Sequence, residues 1–374
     1  MTSLRAMAGA TPASRDRYVD FLRAFSIVAV VLGHYVIALI HWTDAGGIFV
    51  HNAVGSQSGL WLATWVLQVM PLFFFVGGFS NYVGWKSAVR AGDRYRVFLR
   101  RRLQRLLRPT VVFVGVWIAI EVVLRLADLG GPGLLRATFL PFGPMWFLVV
   151  YAGIVAVAPL FVALHDRFGV LVPVVLALGV AGVDLARFGF AGRGVGWLNL
   201  ALVWLAIHQL GFFYADGSLV ATGKRVWWAL VAGGLVVLVV LTNLVEFFDT
   251  LWYPRSMVGV DIEPVSNMSP PGLAIVALGM WQIGAAMLLR APLRRWLAKV
   301  RVWTAVIAVN TVIMTLFLWH LTALLVVIVV LYPLGLGHPT ETTASWWLQR
   351  PIWVLAPLVV LAPIVAVFAR FERT

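Results

Sequence analysis

The sequence has no cysteine, which excludes disulfide bonds, thiolate metal sites and cysteine nucleophiles. It is also poor in charge: Asp, Glu, Lys and Arg make up only 12% of its 374 residues, against about 25% in ordinary soluble proteins. Its seven histidines form neither an HExxH motif nor a His-rich tract, so no metal site is predicted. The composition excludes a soluble globular enzyme, a disordered chain and a coiled coil.

Apolar segments dominate the sequence. Hydrophobic residues make up 61% of the sequence, and the mean hydropathy is +0.93. A transmembrane helix needs about 20 predominantly apolar residues. By that measure ten segments qualify: 18–41, 61–84, 110–127, 144–164, 168–184, 197–214, 226–246, 272–290, 303–332 and 346–369. The sequence therefore predicts an all-α membrane protein, a polytopic bundle of about ten transmembrane helices.

Basic residues are unevenly distributed between alternate ends of these segments. With the N-terminus placed in the cytoplasm, cytoplasmic segments hold 22 of the 29 Lys and Arg residues, and external ends and loops hold 6. The positive-inside rule then predicts that both termini are cytoplasmic, in the cell (plasma or inner) membrane. The net charge of +14 follows from topology and from contact with lipid headgroups, so no nucleic-acid partner is expected.

This topology predicts a simple domain organisation. A flexible cytoplasmic tail, 1–17, precedes one transmembrane domain, 18–369, and a short cytoplasmic tail, 370–374, follows it. The longest external loops are 42–60 and 247–271, both candidates for substrate contact. The ninth segment has 30 residues and would measure about 45 Å as one helix, so it is expected to tilt, break or protrude.

The first segment carries the most informative polar pattern. Arg23 and His34 are eleven positions apart, about 20° past three full helical turns, and Asp20 lies within about 40° of the same stripe. Ionisable groups within a bilayer are costly and usually face the protein interior, where they serve a function. For either residue alone, a snorkelling Arg or a hydrogen-bonded core His is the simpler interpretation.

This pattern resembles the signature of the membrane-bound acyltransferase 3 family, Asp-x-x-Arg followed by ten residues and a His. Asp20, Arg23 and His34 match it position for position. Four weaker resemblances follow in order along the chain: Pro71–Phe79, where Gly77 replaces a Ser of the family's pattern, Phe98–Pro109, Trp146–Leu148 and Met314–His320. The resemblance covers residues 16–320. The SGNH hydrolase domain that some members carry is not expected here.

The resemblance implies an enzyme, an O-acyltransferase. Such a protein moves an acyl group, most often acetyl, from cytoplasmic acyl-CoA to a hydroxyl of a sugar, a cell-surface polysaccharide or a natural product. His34 is then the candidate general base, or is itself acylated as a covalent relay. Arg23 would hold a donor phosphate or carbonyl, or orient the stripe through Asp20. Acyl-CoA, membrane lipid and a carbohydrate or natural-product acceptor are the expected partners, with no metal.

A cytoplasmic basic segment, 85–109, holds nine of the basic residues. Arg94, Arg101, Arg105 and Arg108 recur at helical spacing within it, which predicts an amphipathic helix lying along the membrane interface. Such a face suits the phosphates of CoA, and Arg101 and Arg105 are candidate donor-binding residues. Anionic lipid headgroups attract the same cluster, so this alternative stays open.

Other polar residues in the apolar segments are candidate acyl-CoA-binding or substrate-binding residues. His320 and His34 lie at similar predicted depths, which allows them to share a site. His208 lies near mid-membrane in the sixth segment, where a core role and a functional role are equally expected. Asn310 is expected either to line the inner face of the ninth segment or to pair between helices, and Trp146 opens the fourth segment.

Two other classes of protein also fit parts of the pattern. A proton-coupled secondary transporter of a small polar solute would use intramembrane His, Arg and Glu, but it predicts matching inverted repeats. The sequence shows none: the stripe of Asp20, Arg23 and His34 occurs once. A non-catalytic membrane scaffold does not require aligned ionisable residues.

Overall fold

A computed structural model describes residues 4–12, 15–42, 48–129, 137–189, 193–243, 253–260, 265–339 and 341–372. Ten helical segments in this part of the chain are long and apolar enough to cross a membrane. The predicted all-α polytopic bundle is confirmed.

The helices and strands follow one another in the order of the chain. The first half contains α1 Leu4–Gly9, α2 Arg17–Ile37, β1 Ala38–Trp42, β2 Ile48–Asn52, α3 Trp61–Leu67, α4 Met70–Arg90, α5 Tyr95–Leu126 and α6 Trp146–Phe168. The second half contains α7 Leu171–Gly189, α8 Asn199–Ala215, α9 Ser218–Ala221, α10 Lys224–Asn243, α11 Leu273–Leu297, α12 Val300–Asn310, α13 Ile313–Leu331 and α14 Ala344–Phe368. Short 3₁₀ turns adjoin several of them, among them Leu140–Met145 before α6.

The structure corrects three details of the sequence prediction. The first span ends at Ile37 rather than at residue 41, because Ala38–Trp42 pairs with Ile48–Asn52 in an antiparallel hairpin. The basic residues are not on a separate interfacial helix. Six of the nine, Arg96, Arg100, Arg101, Arg102, Arg105 and Arg108, lie in the first turns of α5, which runs without a break from Tyr95 through the third span, while Lys86 and Arg90 lie on α4 and Arg94 precedes α5. The tail predicted to be flexible contains the helix Leu4–Gly9.

The ninth segment is broken, one of the three outcomes its length predicted. Helix α12 ends at Asn310 and α13 begins at Ile313, so only the second piece is long enough to span a membrane. His320 is the eighth residue of α13, about 11 Å from its start. Because α13 starts after the break, His320 lies near the beginning of its own helix.

The described chain divides into two compact units. The first comprises residues 1–26, 61–101 and 150–308. Within it α4 crosses α8 where two glycines meet: a Cβ on Gly78 would lie 2.0 Å from the carbonyl oxygen of His208, and a Cβ on Gly211 would lie 2.1 Å from that of Phe75. The absence of both side chains lets the two backbones touch.

The second unit comprises residues 27–60, 102–149 and 309–374. Helix α13 lies at its centre, and most of its side chains are buried. Trp319 stacks on Phe368 of the final helix at 4.0 Å between ring centroids and meets Phe113 edge-on at 5.2 Å. These contacts hold the helix that carries His320 between its neighbours.

Adjacent glycines on α10 allow a test of this packing. A Cβ on Gly234 would lie 2.5 Å from the backbone nitrogen of Trp281 on α11, whereas a Cβ on Gly233 would meet nothing within 4 Å. We expect Gly234→Ala to destabilise the protein by about 1–3 kcal/mol through overpacking. The control Gly233→Ala should leave stability unchanged or raise it, because Ala favours the helix by up to about 1 kcal/mol. Thermal unfolding in detergent measures both, and equal melting temperatures would contradict this packing.

Candidate active site

The structure brings His34 and His320 together in the second unit. The Nδ1 atom of His34 lies 3.1 Å from Nε2 of His320, and the two ring centroids are 5.0 Å apart. His320 is fully buried, and His34 is half-buried. Two histidines separated by 286 positions in the chain therefore form a hydrogen-bonded pair between α2 and α13.

The hydrogen bonds fix which nitrogen carries each proton. Nδ1 of His320 lies 2.7 Å from the carbonyl oxygen of Phe317, which can only accept, so Nδ1 donates. In a neutral imidazole the other nitrogen then accepts, so Nε2 of His320 accepts the proton of Nδ1 of His34. Neutral His34 is thereby left with a lone pair on Nε2. The arrangement presents His34 as a base whose tautomer is set by His320.

Neighbouring contacts keep His34 and His320 in place relative to each other. The Tyr35 hydroxyl donates to the backbone carbonyl of His320 at 2.9 Å, a second link between α2 and α13. Phe317, one turn before His320, packs against Phe147 at 5.5 Å between ring centroids. Trp146, a predicted substrate-binding residue, is the first residue of α6 and contacts Phe147. The Trp-Phe-Leu motif therefore adjoins the helix that carries His320 through Phe147.

Asp20 forms the centre of a charged cluster in the first unit. Its carboxylate, almost fully buried, accepts from Nη2 of Arg23 at 2.9 Å and from Nε of Arg15 at 2.5 Å. Two guanidinium groups thus converge on one carboxylate. Arg23, which lies on the same helix as His34, is held by Asp20 through this ion pair. Sequence reasoning missed Arg15, which falls in the stretch assigned to a flexible tail.

The remaining predicted binding residues lie in separate surroundings. On the basic stretch of α5, Arg101 forms an ion pair with Asp93, and Arg105 is exposed. Asn310 is the last residue of α12, at the break before α13. His208 is fully buried in the first unit, where its Nε2 lies 3.1 Å from Nδ2 of Asn81. The structure therefore places His208 in a buried pair with Asn81.

The start of α13 is capped by a carboxylate. Glu372 accepts from the backbone nitrogens of Met314 and Thr315 at 2.9 and 3.0 Å, and from the Thr315 hydroxyl at 2.9 Å. The first backbone N–H groups of a helix lack partners within it, and its N-terminus carries partial positive charge. At the break, the Glu372 carboxylate accepts from these N–H groups and places its negative charge beside the positive end of α13.

The predicted external loops are described only in part, because residues 43–47, 247–252 and 261–264 lie outside the described residues. In the later loop, Tyr253 donates to buried Asp184 of α7 at 2.7 Å, and the backbone nitrogen of Leu273 donates to the same carboxylate at 2.7 Å. Burial raises the pKa of the Tyr253 hydroxyl, and the Asp184 carboxylate raises it further. Asp184 thus anchors both ends of the described loop.

His165 is a buried polar residue whose environment the sequence did not reveal. It falls between the fourth and fifth predicted segments, 144–164 and 168–184, yet it lies on α6, is only 5% exposed, and its Nε2 lies 2.9 Å from the Asp216 carboxylate. Burial alone would raise the pKa of Asp216, but hydrogen bonds from Ser218 and His165 outweigh this effect and lower it. Only the Asp216-x-Ser218 spacing after α8, typical of a turn, could have drawn attention to this partner.

The depressed pKa of Asp216 predicts a pH-dependent contribution to stability. The contribution is fully present above the ordinary pKa of 3.8 and is lost as the pH falls through the lower folded-state pKa. We expect Asp216→Asn to cost about 1–2 kcal/mol at pH 7, with a difference from wild type that shrinks below about pH 4. Asp166→Asn, which removes an exposed ion pair with Lys86, is the control and should have little effect. A pH-independent difference in the melting temperatures of Asp216→Asn and wild type would refute this prediction.

Comparison with known proteins gives one finding. The sequence model of the Acyl_transf_3 family, described as an acyltransferase domain, matches residues 16–370. No curated protein and no solved structure matches the chain. The matched region includes Asp20, Arg23, His34 and His320.

Proposed function

This chain belongs to the acyltransferase 3 family of multi-pass membrane acyltransferases, and we propose that it is an O-acyltransferase with His34 as its general base. The donor is acyl-CoA, most simply acetyl-CoA, and the acceptor is a hydroxyl of a sugar, a cell-surface polysaccharide or a natural product. The observation that carries this proposal is the hydrogen bond from His34 to His320, which leaves a lone pair on Nε2 of His34.

The proposed step is a balanced proton and acyl transfer. Nε2 of His34 takes the proton of the acceptor hydroxyl as its oxygen attacks the thioester carbonyl. The carbon–sulfur bond then breaks, and the leaving thiolate takes this proton from the His34 imidazolium, which gives free CoA and the acyl ester. His320 accepts from Nδ1 of His34 throughout, so it is a positioning residue.

On the donor side, Arg23 is proposed to bind a phosphate or the thioester carbonyl of acyl-CoA. Asp20 supports this role because it fixes one edge of the Arg23 guanidinium, while the Arg23 side chain remains 32% exposed. A guanidinium held in place by a carboxylate loses less conformational freedom when it binds an anion. The distribution of basic residues supports a cytoplasmic donor and cytoplasmic termini in the cell membrane.

Substitution of the two histidines tests the proposed base. His34→Ala should reduce transfer from labelled acetyl-CoA by about 10²–10⁴-fold in liposomes, because general-base catalysis is lost. His320→Gln should retain much more activity than His320→Leu, since a Gln oxygen can accept from Nδ1 of His34 and Leu cannot.

The matched control is His208→Gln, which changes a buried histidine of the first unit and should transfer at close to the wild-type rate. Wild-type activity in His34→Ala would refute the general-base role. Label that becomes attached to His34 in the absence of acceptor would instead indicate a covalent acyl-histidine relay. Uptake of a solute without dependence on CoA would favour the transporter.

The basic stretch of α5 is proposed to contact the phosphates of the donor. Kinetic measurements can distinguish this role from lipid binding alone. Arg101→Gln with Arg105→Gln should raise KM for acetyl-CoA by about tenfold with little change in kcat, because ground-state ionic contacts are removed. Arg294→Gln with Arg295→Gln removes equal charge from exposed positions at the end of α11 and is the control. Equal effects of the two double substitutions would indicate that these arginines serve only lipid binding and topology.

A further inference from the structure

A buried cation in the second unit has no role in the step described above. Arg350 lies in the second turn of the membrane-spanning helix α14 and is only 6% exposed. Its Nη1 donates to the carbonyl oxygen of Ala38 at 2.8 Å, and its Nε donates to that of Trp346 at 3.2 Å. Ala38 directly follows α2, so this guanidinium contacts the end of the helix that carries His34.

Among the described residues, no acid balances the charge of Arg350, since no Asp or Glu there forms an ion pair with it. The negative end of the α2 dipole compensates part of the charge. A guanidinium has five N–H groups, and the two carbonyls use only two. A buried ion without a counterion is unfavourable in a bilayer, so the remaining N–H groups call for an anion.

A second unsatisfied donor lies against the same guanidinium. The Trp346 ring is 2% exposed, and the guanidinium carbon of Arg350 lies 3.8 Å from its centroid. The indole N–H of Trp346 has no acceptor among the described residues, although an indole N–H can only donate and buried donors are almost always paired. A purely structural role for Arg350 at the end of α2 accounts for neither this donor nor the unused guanidinium N–H groups.

We propose that Arg350 and Trp346 bind an oxyanion, the carboxylate or phosphate of an acidic acyl acceptor. This rests on the proposed acyltransferase function and specifies the class of its acceptor. Ala38, whose carbonyl Arg350 contacts, lies four residues after His34, about 6 Å along the chain direction of the helix. An acceptor held by its anionic group is thereby anchored in the unit that contains the base. In the proposed orientation, this end of α2 faces the outside of the cell.

Anion binding to the purified full chain in an uncharged detergent tests the proposal without requiring catalysis. Inorganic phosphate and glucuronate are titrated at constant ionic strength, with glucose as the neutral control, and the melting temperature is recorded. We expect saturable stabilisation by both anions and none by glucose. Trp346→Phe should weaken the apparent affinity about tenfold, because one hydrogen bond to a charged group is lost. Arg350→Gln should abolish saturable binding.

Matched variants distinguish binding at Arg350 and Trp346 from a general effect of anions on the protein. Trp347→Phe changes the adjacent, more exposed indole and should bind both anions like wild type. Trp346→Phe loses no hydrogen bond to the described residues in the absence of anion and keeps an aromatic ring against the guanidinium, so it should fold with only a modest loss of melting temperature from the smaller ring. It therefore remains a valid test if Arg350→Gln fails to fold.

The proposal is overturned if phosphate and glucuronate bind Trp346→Phe and wild type equally. It is also overturned if phosphatidylglycerol saturates the site and glucuronate cannot compete, because the occupant is then a lipid headgroup. His34→Ala should bind both anions like wild type. If His34→Ala also transfers acyl groups at the wild-type rate, the general-base proposal fails while the anion site stands.

Discussion

A lipid bilayer supplies no hydrogen-bond partners, so polar groups of the spanning helices must be satisfied within the protein. This constraint accounts for the described arrangement of buried polar residues. Asp20 is held by two arginines, His34 by His320, and Asp184 by Asn199, Tyr253 and a backbone N–H. Each pairing joins segments distant in sequence or fixes a side chain on its own helix. The polar residues are few, but the pairings of His34 with His320 and of Asp184 with Asn199 and Tyr253 link different segments of the chain.

In the pair formed by His34 and His320, a neighbouring contact decides which nitrogen donates and which accepts. A hydrogen bond between two neutral histidines can run either way, but the Phe317 carbonyl accepts from His320 and removes this ambiguity. The Phe317 carbonyl on α13 thereby sets the position of the proton on both imidazoles. It leaves Nε2 of His34 on α2 without a proton. Backbone geometry within one turn of α13 thus prepares the base on another helix.

Much of the fold follows from the sequence, because hydropathy reports directly on the membrane solvent. The ten spans, the aligned stripe of Asp20, Arg23 and His34, and the unusual ninth segment all rest on helical spacing and length. The hairpin after Ile37, the burial of His165 and the cluster around Arg350 did not follow. The burial of His165 and the cluster around Arg350 depend on contacts between residues far apart in sequence, such as Arg350 with Ala38, and local patterns carry no information about them. His34 and His320 were expected at similar depth, but only the structure shows that they meet.

The carboxylate cap at the start of α13 changes what this end of the helix can bind. A helix start is ordinarily attractive to phosphate, since its backbone N–H groups and dipole both favour negative charge. Here Glu372 already occupies those donors and adds a negative charge of its own. The broken ninth helix therefore offers no free backbone donor at Met314 or Thr315, where the start of a helix would otherwise bind an anion.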